Sequence, residues 1–377
     1  MYDITADGLI NRGNLARLKQ CMRRAEAGGR LTVGFIGGSI TQGAAASADA
    51  LCYAARVADW WKKQFPKAKL AYVNAGIGAT TSQFGAARAE EDLLAAKPDF
   101  VVIEFSVNDN DEEPFERRNF FIETYEGLVR QIYGAGCAPA VVLVHNVRYH
   151  DGSSEEDMHA QIGRFYELPC ISIRRTLYSF VKDGVIPARD ITPDDLHPND
   201  EGHRLVAESI TRFLETVYEK RHEDEAFVPL PEKTCTDNCY EHAVRYRNQT
   251  CRPVMAGFAK DTKKQDGVRD VFKNGWYADE KGAKIIFEVT GSEVAVMYRK
   301  SVRKPAPVAF AVLDGDEEHG VILDANFTED WGDKAYMQTI AHHVEKGRHT
   351  LEIRLTNVVE NNQVPFYLIN IIVSSPL

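Results

Sequence analysis

The chain has 377 residues, 44% hydrophobic and 27% charged, a composition that excludes collagen-like, coiled-coil and disordered proteins. The 45 basic and 55 acidic residues give a net charge of −10, which disfavours binding to nucleic acids or anionic membranes. No apolar run approaches the ~20 residues of a membrane span, and residues 1–17 lack the features of a secretory signal. Seven cysteines without a pairing pattern favour a reducing compartment, so we expect a cytoplasmic protein. The length of the chain predicts two domains.

Helical periodicity alternates with short apolar runs over the first part of the chain. The predicted helices cover residues 14–28, 51–65, 84–96, 115–134, 155–166 and 200–221. The predicted strands cover residues 31–37, 70–74, 99–105, 139–147 and 170–173. Strands separated by helices are typical of βαβ units, so residues 1–222 are predicted to form a three-layer α/β domain with a five-stranded parallel sheet. Ligands of such domains bind beyond the carboxyl ends of the strands.

The pattern changes after residue 222, where the charged and proline-containing stretch 223–238 is predicted to be a linker. Apolar residues then alternate with a period of two, which predicts a smaller all-β sandwich over residues 239–377. Its predicted strands lie around residues 285–289, 294–298, 308–312, 351–355 and 367–373. A zinc site is the less favoured interpretation of the nearby thiol cluster, because its spacing matches no common zinc framework; the cluster comprises Cys235, Cys239, His242 and Cys251.

The first segment that can carry chemistry is GFIGGSITQG, in which Ser39 directly follows the first predicted strand. Glycines on both sides permit a tight turn that exposes the serine and nearby backbone N–H groups. The segment lacks the GxGxxG pattern of a dinucleotide loop and the lysine of a P-loop. It also differs from the GxSxG elbow, because Thr41 stands where that motif has glycine. A nucleophilic serine is the interpretation that fits best.

Three further segments lie after predicted strands or before the last helix. The loop in YVNAGIGATTSQFG follows the second strand, and Asn108 follows the third. An asparagine there can direct its amide at a developing negative charge, or it can simply be a turn or capping residue. In ITPDDLHPNDEGH, Asp194 and His197 supply the carboxylate and base that a catalytic serine requires. The alternative for this segment is an ordinary capped helix start.

These four segments together resemble those of the SGNH (GDSL-like) hydrolase family, over roughly residues 28–220. NAGIGATTSQFGAAR is especially similar to the second block of that family. The resemblance implies a flavodoxin-like sheet and a serine esterase that needs no metal or cofactor. It implies that Ser39 is the nucleophile, that His197 is the general base and acid, and that Asp194 orients His197.

The resemblance also implies an oxyanion hole formed by the Ser39 N–H, the Asn108 side chain and a backbone N–H of the second block. Gly78 and Ala79 both fit the last position, and we favour Gly78. This position and two others depart from the family pattern, and the three departures together predict a divergent branch. Gly38 stands where the family often has aspartate, and Ser106 stands where it usually has glycine.

A β-sandwich after such a domain resembles the carbohydrate-binding-like module of two-domain carbohydrate esterases, including those acting on acetylated mannan. Four aromatic residues are candidates to stack on sugars, and the alternative is that they fill the sandwich core or the domain interface: Trp276, Tyr277, Trp331 and Tyr336. If Trp331 reaches across to the cleft at Ser39, we expect it to form one wall of the substrate groove. We expect Arg148 and Tyr149, in the loop after the fourth strand, to form another, unless that loop is only a solvated connection.

Two other patterns suggest metals only weakly. The acidic run at residues 109–113 suits the first turn of a helix better than a calcium site, and His342-His343 has no third ligand nearby in sequence. The leading hypothesis is a serine esterase that removes O-acetyl groups from mannan- or xylan-derived oligosaccharides. The alternatives are an acyl hydrolase for lipids or thioesters, and a non-catalytic glycan-binding protein on the same fold.

Overall fold

The computed structural model describes residue 2, residues 7–110 and residues 115–376, with only the backbone for residues 115–119. The chain forms two compact units. The first comprises Met1–Gly85 and Ala89–Asn238, and the second comprises Ala86–Arg88 and Cys239–Leu377. None of the helices in the described ranges has the length and hydropathy required to cross a membrane.

The first unit contains six strands and nine α-helices within the described residues. The strands are β1 (Leu9–Asn11), β2 (Arg30–Gly37), β3 (Lys69–Gly76), β4 (Phe100–Glu104), β5 (Ala140–His145) and β6 (Cys170–Ser172). The longer helices are α1 (Ala16–Glu26), α3 (Tyr53–Gln64), α4 (Ser82–Asp92), α5 (Phe115–Tyr133), α6 (Glu156–Phe165) and α9 (Asp200–Glu219). The one-turn helices are α2 (Ser39–Gln42), α7 (Ser179–Lys182) and α8 (Ala188–Ile191).

The six strands form one sheet in the order β1-β6-β5-β4-β2-β3. Strands β2 to β6 are parallel to one another, which confirms the predicted five-stranded parallel sheet. The short strand β1 was not predicted and adds antiparallel to β6 at the edge. The chain order reverses between β2 and β4, so a crevice opens beyond the carboxyl ends of these two strands. Ser39 follows β2 and Asn108 follows β4, which brings both residues to this crevice.

The central strands of the sheet are buried on both faces, which explains why they read as continuous apolar runs. Every residue of β4 and β5 is buried. Helix α9 packs an apolar stripe onto the core through Leu205, Val206, Ile210, Phe213, Leu214 and Val217. The sheet and its helices therefore form a rigid base under the loops that carry the candidate residues.

Residues 223–238, predicted to be a linker, are held on the first unit by specific contacts. Glu225 forms an ion pair with the buried Lys19, with 3.1 Å between Oε2 and Nζ. Glu126, on α5, accepts a hydrogen bond from the Thr236 N–H at 2.8 Å. This segment is thus an ordered part of the first unit rather than a free connection.

The second unit is built from antiparallel strands, which confirms the predicted all-β domain. The shorter strands are β7 (Val244–Tyr246), β8 (Val254–Ala256), β9 (Ala259–Lys260), β10 (Trp276–Ala278) and β14 (Val321–Asp324). The longer ones are β11 (Lys284–Gly291), β12 (Glu293–Lys300), β13 (Val308–Leu313), β15 (Lys334–Ala341), β16 (Gly347–Asn357) and β17 (Phe366–Ser374). One sheet has the order β15-β12-β17-β10-β9, with β7 also paired to β17, and the other has the order β14-β13-β16-β11-β8.

The inner faces of the two sheets share one apolar core. Strand β11 alternates as predicted, with Ile285, Phe287 and Val289 buried. Strand β13 turns Ala309 and Ala311 toward the core, where both are completely buried. The bulky Val308 and Phe310 of its alternating pattern lie on the other face and are only half-buried. The intervening Phe310 lies outside the core, where the Arg354 guanidinium carbon covers its ring at 5.2 Å from the ring centre. This contact shields part of a large apolar ring that the core does not bury.

Candidate active site

Ser39 begins the one-turn helix α2, immediately after the Gly37 end of β2. The preceding Gly38 leaves no space for a side chain, since a Cβ there would lie 1.9 Å from Asn108 Oδ1. A Cβ on Gly37 would lie 2.4 Å from the Glu104 carbonyl oxygen. Aspartate at position 38 would therefore clash with Asn108 as it is placed here. The Gly-Gly-Ser sequence allows the Asn108 side chain to pack directly against the turn that carries Ser39.

His197 links Ser39 to Asp194 through its two ring nitrogens. His197 Nε2 lies 2.8 Å from Ser39 Oγ, and His197 Nδ1 lies 2.7 Å from Asp194 Oδ2. The three side chains, predicted from segments about 155 positions apart, thus form a continuous chain of hydrogen bonds. The His197 side chain is 23% exposed, so it lies at the surface of the first unit rather than in the core.

The Asp194 carboxylate is held in place by the backbone that follows it. Its Oδ1 accepts hydrogen bonds from the His197 N–H at 2.7 Å and the Leu196 N–H at 3.1 Å. Partial burial raises the pKa of Asp194, but the hydrogen bonds from the His197 side chain and from these backbone groups outweigh it, so the pKa is lowered overall. Asp194 therefore carries a negative charge at neutral pH and favours the imidazole tautomer with a proton on Nδ1.

The same segment also caps helix α9. The Asn199 side chain accepts hydrogen bonds from the Glu201 and Gly202 N–H groups, both at 3.0 Å. The two interpretations of this sequence, a catalytic pair and a capped helix start, are therefore compatible. The cap fixes the first turn of α9 and, with it, Pro198, the single residue that separates Asn199 from His197.

Asn108 begins a one-turn 3₁₀ helix just beyond β4. Its amide nitrogen lies 3.3 Å from the position that a Gly38 Cβ would occupy, next to Ser39. The following Asp109 is buried and anchors this turn, because its carboxylate accepts a hydrogen bond from the Ser82 N–H at 2.9 Å and contacts His159 Nε2 at 3.0 Å. Residues 111–113 of the acidic run lie outside the described residues.

The turn after β3 lies directly against Ser39. A Cβ on Gly78 would be 3.6 Å from Ser39 Cβ. The Gly78 N–H donates a hydrogen bond of 2.6 Å to Gln42 Oε1, at the end of the helix that Ser39 begins. Ala79 has a φ of 55°, in the left-handed region that few residues other than glycine adopt. The sequence analysis missed Gln42; its only signal is a position three residues after Ser39, on the same side of one helical turn.

Several ionisable groups are buried behind the site. Burial raises the pKa of Glu104 to about 7 and that of Asp109 to about 7, and it lowers the pKa of His159 to about 3. His159 stacks on Tyr125 with ring centres 3.5 Å apart. Asp109 Oδ2 contacts His159 Nε2 at 3.0 Å, and Glu104 accepts a hydrogen bond from Ser106 Oγ at 3.2 Å.

Replacing Glu104 by glutamine is expected to remove a pH-dependent loss of stability. The unfolded Glu104 has the ordinary pKa of 4.5, whereas burial raises the pKa in the folded protein to about 7. Its contribution is thus complete below pH 4.5 and disappears as the pH rises through 7. The free energy of unfolding of wild type should fall by about 1–3 kcal/mol relative to E104Q across this range. Urea unfolding at several pH values measures this, with the exposed-site variant E90Q as control; parallel curves for wild type and E104Q contradict the prediction.

The structure corrects two of the expected substrate contacts. Tyr149 is only 3% exposed, because its ring belongs to the core of the first unit. Trp276 is completely buried and packs edge-on against Phe287 in the sandwich core. Neither ring is available to a sugar. Arg148 is partly exposed in its loop, where its backbone N–H donates to the Ser153 carbonyl at 3.0 Å. Trp331 is 54% exposed and contacts Phe327 edge-on, so its indole face is accessible in the second unit.

The cysteines occur as free thiols, and Cys235, Cys239 and Cys251 do not converge on a common point among the described residues. Cys251 Sγ lies 3.2 Å from the Arg247 carbonyl oxygen, within its own turn. The pair His342-His343 does have a carboxylate beside it, contrary to the expectation from the sequence. Glu293 Oε2 lies 2.5 Å from His342 Nδ1 because β12 and β15 are neighbours in the sheet.

Comparison with known proteins places these features in a family. A model of the GDSL-like Lipase/Acylhydrolase family matches residues 35–205. A two-domain esterase (CEX) active on acetylated mannans, co-crystallized with mannopentaose, is 52% identical, with a TM-score of 0.94 over 100% of this chain and 99% of that chain. A second crystal structure of a two-domain esterase active on acetylated mannans is 51% identical, with a TM-score of 0.94 over 100% of both chains.

An acetylxylan esterase from Geobacillus stearothermophilus is 25% identical over an alignment of 177 residues, and the match covers 43% of this chain and 80% of that protein. The family model matches residues of the catalytic first part of the chain only, whereas the similarity to the two-domain esterases extends through the second unit as well. The chain therefore belongs to the GDSL-like (SGNH) hydrolase family and is a two-domain carboxylic ester hydrolase.

Proposed function

We propose that this esterase removes O-acetyl groups from mannan-derived oligosaccharides by way of an acetyl-enzyme. The observation that carries the chemistry is the chain of hydrogen bonds from Ser39 Oγ through His197 to Asp194. The choice of mannan is supported by identity of 52% over the whole chain with an esterase active on acetylated mannans. The sequence analysis had left mannan and xylan open as sources of the oligosaccharide.

The proposed reaction begins with attack of Ser39 Oγ on the acetyl carbonyl carbon while His197 Nε2 accepts the hydroxyl proton. The tetrahedral intermediate bears a negative oxygen, which the Ser39 N–H, the Asn108 amide and a backbone N–H of the turn containing Gly78 stabilise. His197 then gives its proton to the sugar oxygen as the C–O bond breaks. Water, deprotonated by His197, attacks the acetyl-enzyme, and acetate leaves as Ser39 recovers its proton.

A panel of substrates tests the proposal. We expect acetate release from acetylated manno-oligosaccharides with higher kcat/KM than from acetylated xylo-oligosaccharides or from long-chain acyl esters and thioesters. Faster turnover of the long-chain substrates would instead identify an acyl hydrolase for lipids or thioesters. Glycan binding without hydrolysis of any ester would identify a non-catalytic binding protein.

Replacing Asn108 by alanine is expected to lower kcat by about 10²–10³-fold, because the oxyanion loses one of its donors. KM should change little, since the amide acts mainly on charge that develops in the transition state. Steady-state acetate release measures both constants. Asn110 belongs to the same 3₁₀ turn, so N110A is the matched control and should retain near-normal kcat. Equal losses in N108A and N110A would indicate damage to the turn rather than loss of a donor.

We propose that the second unit acts as a carbohydrate-binding-like module through the exposed face of Trp331. Aromatic side chains offer a flat apolar surface to the C–H face of a sugar ring. W331A should raise KM for acetylated manno-oligosaccharides without altering hydrolysis of a small ester such as 4-nitrophenyl acetate. I322A removes another exposed apolar side chain, 64% exposed, and serves as the control. Unchanged KM in W331A would contradict this role.

Cytoplasmic localisation is also part of the proposal. It is supported by the seven cysteines present as free thiols, four of which are buried in the folded chain. Oxidising compartments favour pairing of cysteines during folding, whereas reducing ones preserve thiols. Cell fractionation with thiol counting on the native protein tests this; recovery in the culture medium would contradict it.

A further inference from the structure

The turn between β3 and α4 has two backbone N–H groups that differ in their hydrogen bonding. The Gly78 N–H is already engaged, at 2.6 Å from Gln42 Oε1. If the Gly78 N–H donated to an oxyanion instead, this bond would first have to break. Gln42 Oε1 would then lose its donor, which costs about 1–3 kcal/mol for a buried group. Within residues 7–110 and 115–376, by contrast, no hydrogen bond engages the N–H of Ala79.

The backbone at Ala79 is held in an unfavourable conformation. Its φ of 55° places a residue with a Cβ in the left-handed region, at a cost of about 1–2 kcal/mol. Turns of this kind direct successive N–H groups toward one concave face, which suits a negatively charged oxygen. The surrounding structure maintains the turn, because Thr80 Oγ1 donates to the Ile77 carbonyl at 2.7 Å and the Ile77 N–H donates to the Gly37 carbonyl at 3.1 Å.

Gln42 connects this turn to the nucleophile. It lies on helix α2, three residues after Ser39, so both side chains point to the same side of one helical turn. A second amide side chain makes a parallel connection: Asn74 Nδ2 donates to the Thr41 carbonyl at 2.8 Å, and Asn74 Oδ1 accepts from the Gly76 N–H at 2.9 Å. The loop is thereby fixed to the helix that carries Ser39 at two successive points.

We infer that Ala79, rather than Gly78, donates the backbone N–H to the oxyanion, and that Gln42 is the positioning residue that holds this donor in place by accepting the Gly78 N–H. The inference rests on the proposed esterase mechanism and specifies one of its donors. It replaces our expectation from the sequence, which favoured Gly78. The alternative arrangement has Gln42 occupying the oxyanion hole in the free enzyme and leaving when substrate binds.

A covalent phosphonate distinguishes the two arrangements. A 4-nitrophenyl alkylphosphonate ester should phosphonylate Ser39, placing a P–O⁻ oxygen where the oxyanion forms. With ¹⁵N-alanine and ¹⁵N-glycine labelling, and A79G and G78A to assign the two amides, we expect the Ala79 amide proton to move downfield on phosphonylation and the Gly78 amide proton to stay near its original position. The reverse pattern overturns the inference. Failure of the probe to label Ser39 would instead contradict the proposed function itself.

Replacing Gln42 tests the positioning role. Q42M retains the length of the side chain but lacks the acceptor, so we expect kcat to fall by about 10²-fold as the donor becomes misplaced. KM and the pH profile of kcat/KM should remain as in wild type, because His197 is untouched. Q64M, at the end of α3, is the control for the same substitution elsewhere. An increase in kcat/KM would show that Gln42 obstructs the hole, and an unchanged kcat would show that it does not position the donor; either result overturns the inference.

Discussion

S39A is expected to lower kcat for acetate release by about 10⁴–10⁶-fold while leaving the fold intact. Ser39 Oγ lies 2.8 Å from His197 Nε2 and is the atom that attacks the acetyl carbon in the proposed mechanism. Alanine removes this atom but retains Cβ, so the contact between residue 39 and the Gly78 turn persists. The side chain is only partly buried, and a small truncation there creates no large cavity. Acetate release and the thermal unfolding midpoint measure the two effects.

The control for this substitution is S47A. Ser47 is exposed in the same loop region, where its hydroxyl contacts Asp200 at 2.6 Å, and it has no path to the reacting atoms. S47A should retain near-normal kcat. The S39A protein must be prepared on unused chromatography resin, because a wild-type contamination of about one part in 10⁴ would mimic residual activity at the expected level. Activity of S39A within tenfold of wild type would show that another group attacks the ester.

The parallel sheet could be predicted because burial on both faces leaves a clear mark in the sequence. Runs such as VVIEF and VVLVH have no charged position until the strand ends, which is typical of a central parallel strand. The edge strand β1 could not be recognised in this way, since three half-buried residues carry no periodic signal. Its place in the sheet depends on pairing with β6, which lies about 160 positions further along the chain.

The positions of Ser39 and Asn108 could also be predicted, because each lies at a point that the order of elements fixes. A residue just beyond β2 and a residue just beyond β4 meet at the crevice of a flavodoxin-like sheet, whatever the loops contain. The hydrogen bond between Gln42 and Gly78, by contrast, could not be predicted from the order of the elements. It depends on the conformation of a turn, and the left-handed φ of Ala79 is not indicated by an alanine in the sequence.

Aromatic residues were the least predictable from sequence. Trp276 and Trp331 both occur in polar, glycine-containing segments, yet the first is completely buried and the second is 54% exposed. The difference arises because Trp276 begins a strand paired to β17, whereas Trp331 lies in the loop before β15. The pattern of β13 shows the same limit, because the alternation of Val308, Phe310 and Val312 is present but the alanines between them face the core.

D194N is expected to lower kcat by about 10⁴-fold through a change of tautomer rather than a loss of structure. Asp194 Oδ1 accepts two backbone N–H groups, so an asparagine at this position must place its carbonyl oxygen there and its NH₂ at the position of Oδ2. That NH₂ would then donate to His197 Nδ1, and the imidazole proton would move to Nε2. Nε2–H faces Ser39 Oγ and can no longer accept its proton. Acetate release measures kcat, and the His197 tautomer can be read directly from ¹⁵N chemical shifts.

The adjacent Asp195 provides a closely matched control. Its carboxylate pairs with Arg189 at 2.6 Å, away from His197, and its φ is 63°, a conformation that asparagine tolerates at least as well as aspartate. D195N therefore makes the same chemical change one residue away while preserving the turn, and it should retain kcat within a few-fold of wild type. If D194N retained full activity with the Nε2–H tautomer, Asp194 would not be the group that orients His197. A large loss in both variants would instead point to the turn as a whole, and unfolding midpoints of the two proteins would separate that case from the change of tautomer.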